Sequence, residues 1–229
     1  MKVDEKFSLS IDRIEFSSAK TLSYNADADT SIDEIKAKAI HIDDETGKEN
    51  IAGELIAHQI DLAELINDRN SIIITLDDHS HQLSEFATFF SDDEKVFSKK
   101  VYKTFNINED DVLYGDDDVL IFDNLYVNKK FRGKNVGQLL IEATCRDFRR
   151  RGRFAFLKAY PLQFSGAESF DELTDERKNQ ILREKEEFKN RSFEVSQKKL
   201  INLYEKCGFR LIDGEKEFMI ADLFERDLF

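Results

Sequence analysis

Residues 118–151 constrain this chain more than any other stretch. The run DVLIFDNLYV is rich in β-branched and aromatic residues and has polar residues at both ends, which predicts a strand over Asp118–Val127. Past Arg132-Gly133-Lys134-Asn135-Val136-Gly137 the period changes. Val136, Leu139, Leu140, Ala143 and Phe148 recur at helical spacing over Asn135–Arg151, and Gly152 stands where a C′ glycine would end that helix. Phe154–Tyr160 is again strand-like and stops at Pro161. A strand, a glycine turn, a helix and a second strand call for helices packed on a sheet.

The turn itself suggests chemistry. The first turn of a helix has unpaired N–H groups and a partial positive charge, which together form an anion cradle. Gly133 and Gly137 leave room for close approach, and Asn135 is, after Gly, the residue most tolerant of a left-handed backbone. Arg132 and Lys134 add charge. Neither GxxxxGK[ST] nor GxGxxG is present. Taken alone, the segment is either a phosphate site or an ordinary βα turn with surface charges.

Charge distribution favours a compact anionic ligand. The chain has 34 Lys and Arg against 47 Asp and Glu, yet residues 129–158 hold ten basic residues and only Glu142 and Asp147 against them. Nucleic-acid backbones need a broad cationic face, so this balance argues against nucleic acid. The run Arg149–Arg151 also has a purely structural reading, because cations favour a helix C-terminus.

Elsewhere the pattern is mixed. Phe7–Ile14 reads as a strand and SYNADADTS as a loop. Ile35–Asp43 and Ile51–Ile60 alternate apolar and polar residues around DDETGKEN, a hairpin signal. Leu62–Ile66 is a short helix. Ser71–Leu76 reads as a buried strand or part of a loop. Ser80–Phe105 looks helical, with Leu83, Phe86, Phe89 and Phe90 on one face, and Asn106–Asp118 is an acidic loop. Thr174–Arg191 is a charged, mostly solvated helix, Ser169-x-x-Glu172 could cap an earlier turn, and Lys198–Glu205 is a helix backed by Gly208. Phe209–Ile212 and Glu217–Leu223 are short strands around Asp213–Gly214.

Composition excludes several classes. Apolar runs of four to six residues are too short to span a bilayer, which takes about 20. The N-terminus has no apolar h-region. Cys145 and Cys207 form no disulfide framework, and the four histidines, including the close pair His79 and His81, sit in no metal-ligating pattern. With one Pro and nine Gly there is no linker composition. The expectation is one compact domain in a reducing cytoplasm, without metal, membrane or nucleic acid; a homodimer is left open.

Two segments carry a family resemblance. Arg132-x-x-Asn135-x-Gly137, after a strand ending Leu125-x-Val127, resembles the acetyl-CoA pyrophosphate motif of the GNAT superfamily of N-acetyltransferases, usually written Gln/Arg-x-x-Gly-x-Gly/Ala. Arg132 and Gly137 match, and Asn135 departs from Gly. Leu203-Tyr204-Glu205-Lys206-Cys207-Gly208-Phe209 resembles the superfamily's second signature, LYEKxGF before a strand. LKAYPLQF at 157–164 is similar to a KPFPLQF-like strand of uncharacterised bacterial members.

The resemblance covers roughly residues 118–223 and implies an α/β (α+β) GNAT-like fold: a central mixed, mostly antiparallel sheet flanked by helices. Residues 1–229 would form one domain. The half 1–117 would be the variable acceptor side, and 118–223 the acetyl-CoA-binding core with a charged helical insert at about 165–195. Acetyl-CoA would place its pyrophosphate on Arg132, Gly133, Lys134, Asn135, Val136, Gly137 and Gln138, and its pantetheine arm along Leu125, Tyr126 and Val127. A small amine or a protein amine would attack the thioester directly. Tyr204 would protonate the leaving thiolate, although its spacing from Leu200 also fits plain packing. Asp123 interrupts an apolar strand, either to accept the amine proton or as a satisfied structural carboxylate. His79 and His81 are reserve bases, and Cys207 reads as a small buried side chain. A non-catalytic acyl-CoA-binding or protein-interaction module of the same fold is the alternative, and an acyl group other than acetyl also stays open.

Overall fold

The computed structural model describes residues 11–20, 31–67, 71–91, 96–108, 118–161, 164 and 175–224. Its centre is a seven-stranded mixed sheet in the order β1-β2-β3-β4-β5-β7-β6. The strands are β1 (Arg13–Lys20), β2 (Ile32–Ile42), β3 (Glu49–Ile60), β4 (Asp118–Val127), β5 (Gly152–Lys158), β6 (Arg210–Leu211) and β7 (Phe218–Asp222). β4 and β5 run parallel, and every other pair is antiparallel. The hairpin expected around residues 43–50 is β2–β3, and β4 spans the predicted range.

Helices cover both faces. α5 (Val136–Phe148) and α7 (Phe193–Lys206) share one face, and α1 (Leu62–Asn67), α2 (Ile72–His79), α3 (His81–Ser84) and α4 (Lys99–Phe105) share the other. α6 (Asp175–Phe188) precedes α7. β4 is buried on both sides over Val119–Phe122, which explains the apolar run there. Leu120 and Phe122 join a core with Val136, Leu140 and Phe148 of α5, while Val119 and Ile121 join a second core with Leu76, Phe89 and Phe156.

Four expectations from the sequence need correction. Ser71–Leu76 is neither strand nor loop: Ile72–His79 is helix α2. Ser71 caps it by accepting from the Ile74 N–H, and Ile72, Thr75 and Leu76 are buried while Ile73 and Ile74 face outward. Ser80–Phe105 is not one helix. It divides into α3, a 3₁₀ turn at Ala87–Phe89, an antiparallel bridge Phe90–Phe97, and α4. Its phenylalanines are buried, but as a cluster of rings: Phe89 meets Phe218 at 5.1 Å and Phe97 meets Phe154 at 5.1 Å.

In α5, Leu139 is partly exposed, and the buried face is instead Val136, Gly137, Leu140, Ile141, Thr144, Cys145 and Phe148. Gly152 is not the helix's C′ residue, because it opens β5. A Cβ there would stand 1.9 Å from the Asp118 carbonyl oxygen and 2.6 Å from the Phe148 ring. The first strand begins at Arg13 within the described residues. Residues 7–10, 23–30, 109–117 and 169–172, on which other expectations fall, lie outside them.

Candidate functional site

The sheet opens beside β4. Parallel pairing with β5 runs only from Asp118↔Gly152 to Phe122↔Leu157. Beyond Phe122, β4 continues to Val127 on the β3 side alone, pairing Leu125 with Leu55 and Val127 with Gly53. β5 ends at Lys158, bound to β7. Among the described residues, the β5-facing backbone edge of Asp123–Val127 therefore has no partner strand, and a wedge separates β4 from β5. A strand edge that lacks a partner strand can accept an extended ligand as an added strand.

Asp123 stands at the wedge's narrow end. Ile56 opposes Asn124 and Ala57 opposes Phe122, so Asp123 is the extra residue of a β-bulge. Bulges bend a strand and re-aim its side chains, often beside active sites. The polar break in the apolar run thus has a structural cause. The neighbouring Asn124 Oδ1 is buried without a hydrogen-bond partner.

At the wide end lies the glycine turn. Asn128 opens a 3₁₀ turn over Lys129–Phe131, its side chain accepting from the Lys130 N–H. Gly133 has φ +75°, and Asn135, the N-cap of α5, is left-handed at φ 60° and ψ 15°. Gly133 and Asn135 thus both take positive φ on either side of Lys134, and the first N–H groups of α5 follow directly. Gly137 brings α5 against the sheet: a Cβ there would lie 3.4 Å from both Leu125 Cδ2 and Val127 Cγ2, and 3.9 Å from Leu203 Cδ2 of α7.

The cations of this turn do different jobs. Arg132 Nε donates to the Val127 carbonyl at 2.9 Å, and its guanidinium stacks 5.1 Å from the centroid of Phe188 on α6. Lys134 is exposed, with Nζ 5.8 Å from the Phe131 ring. Gln138 donates to Glu142 at 2.7 Å. Farther along the basic block, Arg149 is the C-cap residue of α5, Arg151 bonds Gln59 and Asp147, and Arg153 pairs with buried Asp222. Those arginines thus have structural roles, and the exposed charge nearest the turn is that of Lys129, Lys130 and Lys134.

Tyr204 is buried on α7, its ring 6.4 Å from Phe209. Burial, and secondarily Cys207, pushes its phenol above the usual range, so the proton stays on at neutral pH. Burial likewise pushes the Cys207 thiol up to about 12. Leu203, one residue before Tyr204, is the α7 side chain nearest Gly137, so α7 stands behind both turn and wedge.

The structure thus gathers Leu125, Val127, the 132–137 turn and the Leu203–Tyr204 segment. It does not unite His79 with His81, which is exposed at the start of α3. His79 instead meets His58 of β3, ring centroids 5.5 Å apart. In the sequence the one signal of His58 is an imidazole inside the alternating run IAGELIAHQI. No group of His, Cys, Asp or Glu among the described residues could hold a metal ion, and no helix there is long and apolar enough to cross a membrane.

No family model matches the chain, and no curated protein matches it. A solved structure described as an acetyltransferase is similar at 15% identity, over 80% of this chain and 69% of that one, with a TM-score of 0.28.

Proposed function

We propose that this protein is an acetyl-CoA-dependent N-acetyltransferase acting on a primary amine. The observation that carries the reading is the wedge between β4 and β5, which ends at the left-handed turn and N-terminus of α5. A strand edge without a partner strand, running into an anion cradle, suits a long ligand with an amide-bearing arm and a diphosphate. In acetyl-CoA these are the pantetheine and the pyrophosphate.

In this reading the pantetheine amides bond the backbone of Leu125, Tyr126 and Val127. The pyrophosphate sits on N–H groups of the turn from Arg132 to Gln138. Lys134 contributes charge, and Arg132 holds the turn to the end of β4. The thioester reaches the bulge at Asp123. The amine nitrogen attacks the carbonyl carbon, the C–S bond breaks, and the thiolate takes a proton from Tyr204. The amine must lose a proton beside the bulge. The similarity of the 203–209 segment to the superfamily's second signature supports the assignment of Tyr204.

The test is direct. Titration calorimetry should show acetyl-CoA binding, weakened by Lys134→Ala and by added salt. Free-thiol release should then appear with at least one member of a primary-amine panel. Absence of acetyl-CoA binding to the folded protein would falsify the reading.

A further inference from the structure

We infer that His58, with His79 as its positioning residue, takes the proton from the attacking amine. The inference rests on the acetyltransferase reading above and names the base for that reaction.

The argument is one of placement. α5, α7 and the anion turn lie on one face of the sheet, with Leu120, Phe122, Leu125 and Val127. A ligand held there reaches the other face through the wedge. On that face the β3–β4 register sets His58 opposite Ile121, and Ile56 opposite Asn124. His58 therefore stands one strand from β4 and one pleat from the bulge. Neighbouring strands are about 4.8 Å apart and two residues along a strand span about 6.7 Å, so the inference places the imidazole one bridging water from the bulge.

A histidine at this position also needs an explanation. Along β3, its same-face neighbour Ile60 and cross-strand partner Ile121 both belong to the apolar core. Burying a polar ring there is costly unless it is paired or used. The ring is half-buried and is met edge-to-face by His79, the last residue of α2, at 5.5 Å and 74°. α2 lies on the side of the wedge opposite the anion turn, where an acceptor would come in.

Among the described residues, charged and titratable groups flank His58 on three elements. β2 sets Glu34 directly opposite, itself paired with Lys36 at 2.7 Å. α2 contributes His79, with Asp78 beside it and exposed. β4 contributes the bulge carboxylate Asp123. A second imidazole at this distance can share or pass on the proton.

The proton balance is closed. An alkylammonium gives its proton to the His58 imidazole and becomes the free amine. The amine attacks the thioester carbonyl, the C–S bond breaks, and the thiolate leaves as CoA thiol with a proton from Tyr204. The imidazolium loses its proton to solvent, the nitrogen of the tetrahedral adduct loses its second proton by the same route, and solvent reprotonates Tyr204. The net products are the N-acetylamine, CoA and one proton.

The experiment combines calorimetry with a pH profile of kcat/KM, using acetyl-CoA and the best acceptor of a primary-amine panel. Wild type should show an acidic limb in the range where an imidazole titrates, about pH 6–7. His58→Gln should lower kcat by ~10²–10⁴-fold and erase the limb, with acetyl-CoA affinity unchanged within about threefold. His79→Gln should move the limb and leave it present. Asp123→Asn should retain it. A limb that persists in folded His58→Gln, or that vanishes only in Asp123→Asn, overturns the inference and leaves the acetyltransferase reading intact. Wild type that binds no acetyl-CoA overturns both. If His58→Gln fails to fold, an unmoved limb in His79→Gln overturns it instead.

Discussion

Arg132 reaches back five residues and donates from Nε to the carbonyl of Val127 at 2.9 Å. The bond ties the last residue of β4 to the turn before α5, and the guanidinium continues onto Phe188 of α6. One side chain thereby fixes the wide end of the wedge to two helices. The resemblance assigns Arg132 a pyrophosphate contact, and the structure adds these two contacts to its side chain.

Arg132 and Lys134 should therefore behave differently when replaced. Arg132→Ala removes a charge-assisted hydrogen bond and a stacked ring, and should lower stability by about 1.5–3 kcal/mol. Lys134→Ala should leave the denaturation midpoint unchanged while weakening acetyl-CoA binding and reducing its salt dependence. Urea melts alongside calorimetry check both. Equal stability losses in the two variants would show that Arg132 is no clamp.

Gly137 in the first turn of α5 and Gly152 at the start of β5 should separate as well. At Gly137 a Cβ would make only ordinary 3.4 Å contacts, and Ala is the better helix former by up to about 1 kcal/mol. Gly137→Ala should fold with an unchanged or slightly higher Tm. Gly137→Glu would bury a carboxylate between α5, β4 and α7, and should lose both stability and acetyl-CoA binding. Gly152→Ala should unfold the protein or sharply lower its Tm, because its Cβ would stand 1.9 Å from the Asp118 carbonyl oxygen. Thermal scans of the three variants decide this.

Tyr204→Phe keeps the ring against Phe209 and removes only the hydroxyl. If that hydroxyl protonates the departing thiolate, kcat should fall by ~10²–10⁴-fold with acetyl-CoA affinity preserved. Because burial raises the phenol's pKa, the acid form persists across neutral pH and should add no alkaline limb there. An unchanged kcat would make Tyr204 a packing residue. Tight CoA binding without turnover across the whole amine panel would favour the non-catalytic module.

Alkaline pH should weaken the fold. Cys207 has its thiol pushed up to about 12 from an ordinary 9.0, chiefly by burial. Below pH 9 the thiol is protonated in folded and unfolded chains alike, and its contribution to stability is fully present. Between about 9 and 12 only the unfolded chain releases the proton, so stability declines over that window. Buried Cys145 and Tyr204 are shifted in the same direction and add to the decline. Denaturant midpoints from pH 8 to 11 should fall, less steeply in Cys207→Ala. Both buried thiols should also resist an aromatic disulfide reagent at pH 8 until the protein is unfolded.

The sequence by itself determined the features whose causes are local. Asp118–Val127 is a strand because β-branched and aromatic residues suit a sheet buried on both faces. Asn135 takes a left-handed backbone because its residue type tolerates one, and α5 follows from its apolar period. Only the tertiary structure decided the rest. The isoleucines after Ser71 have the composition of a strand, yet form α2 because a serine cap and a core on one side outweigh propensity. Asp123 looked like a chemical anomaly until the β3 register made it the bulge residue. His58 and His79 are 21 positions apart and no local pattern joins them; the packing of α2 on β3 does. The wedge is likewise non-local, because it exists only where β4 outruns its pairing with β5. A residue's own chemistry and spacing set its backbone preference, whereas what stands opposite it depends on strand register and helix docking.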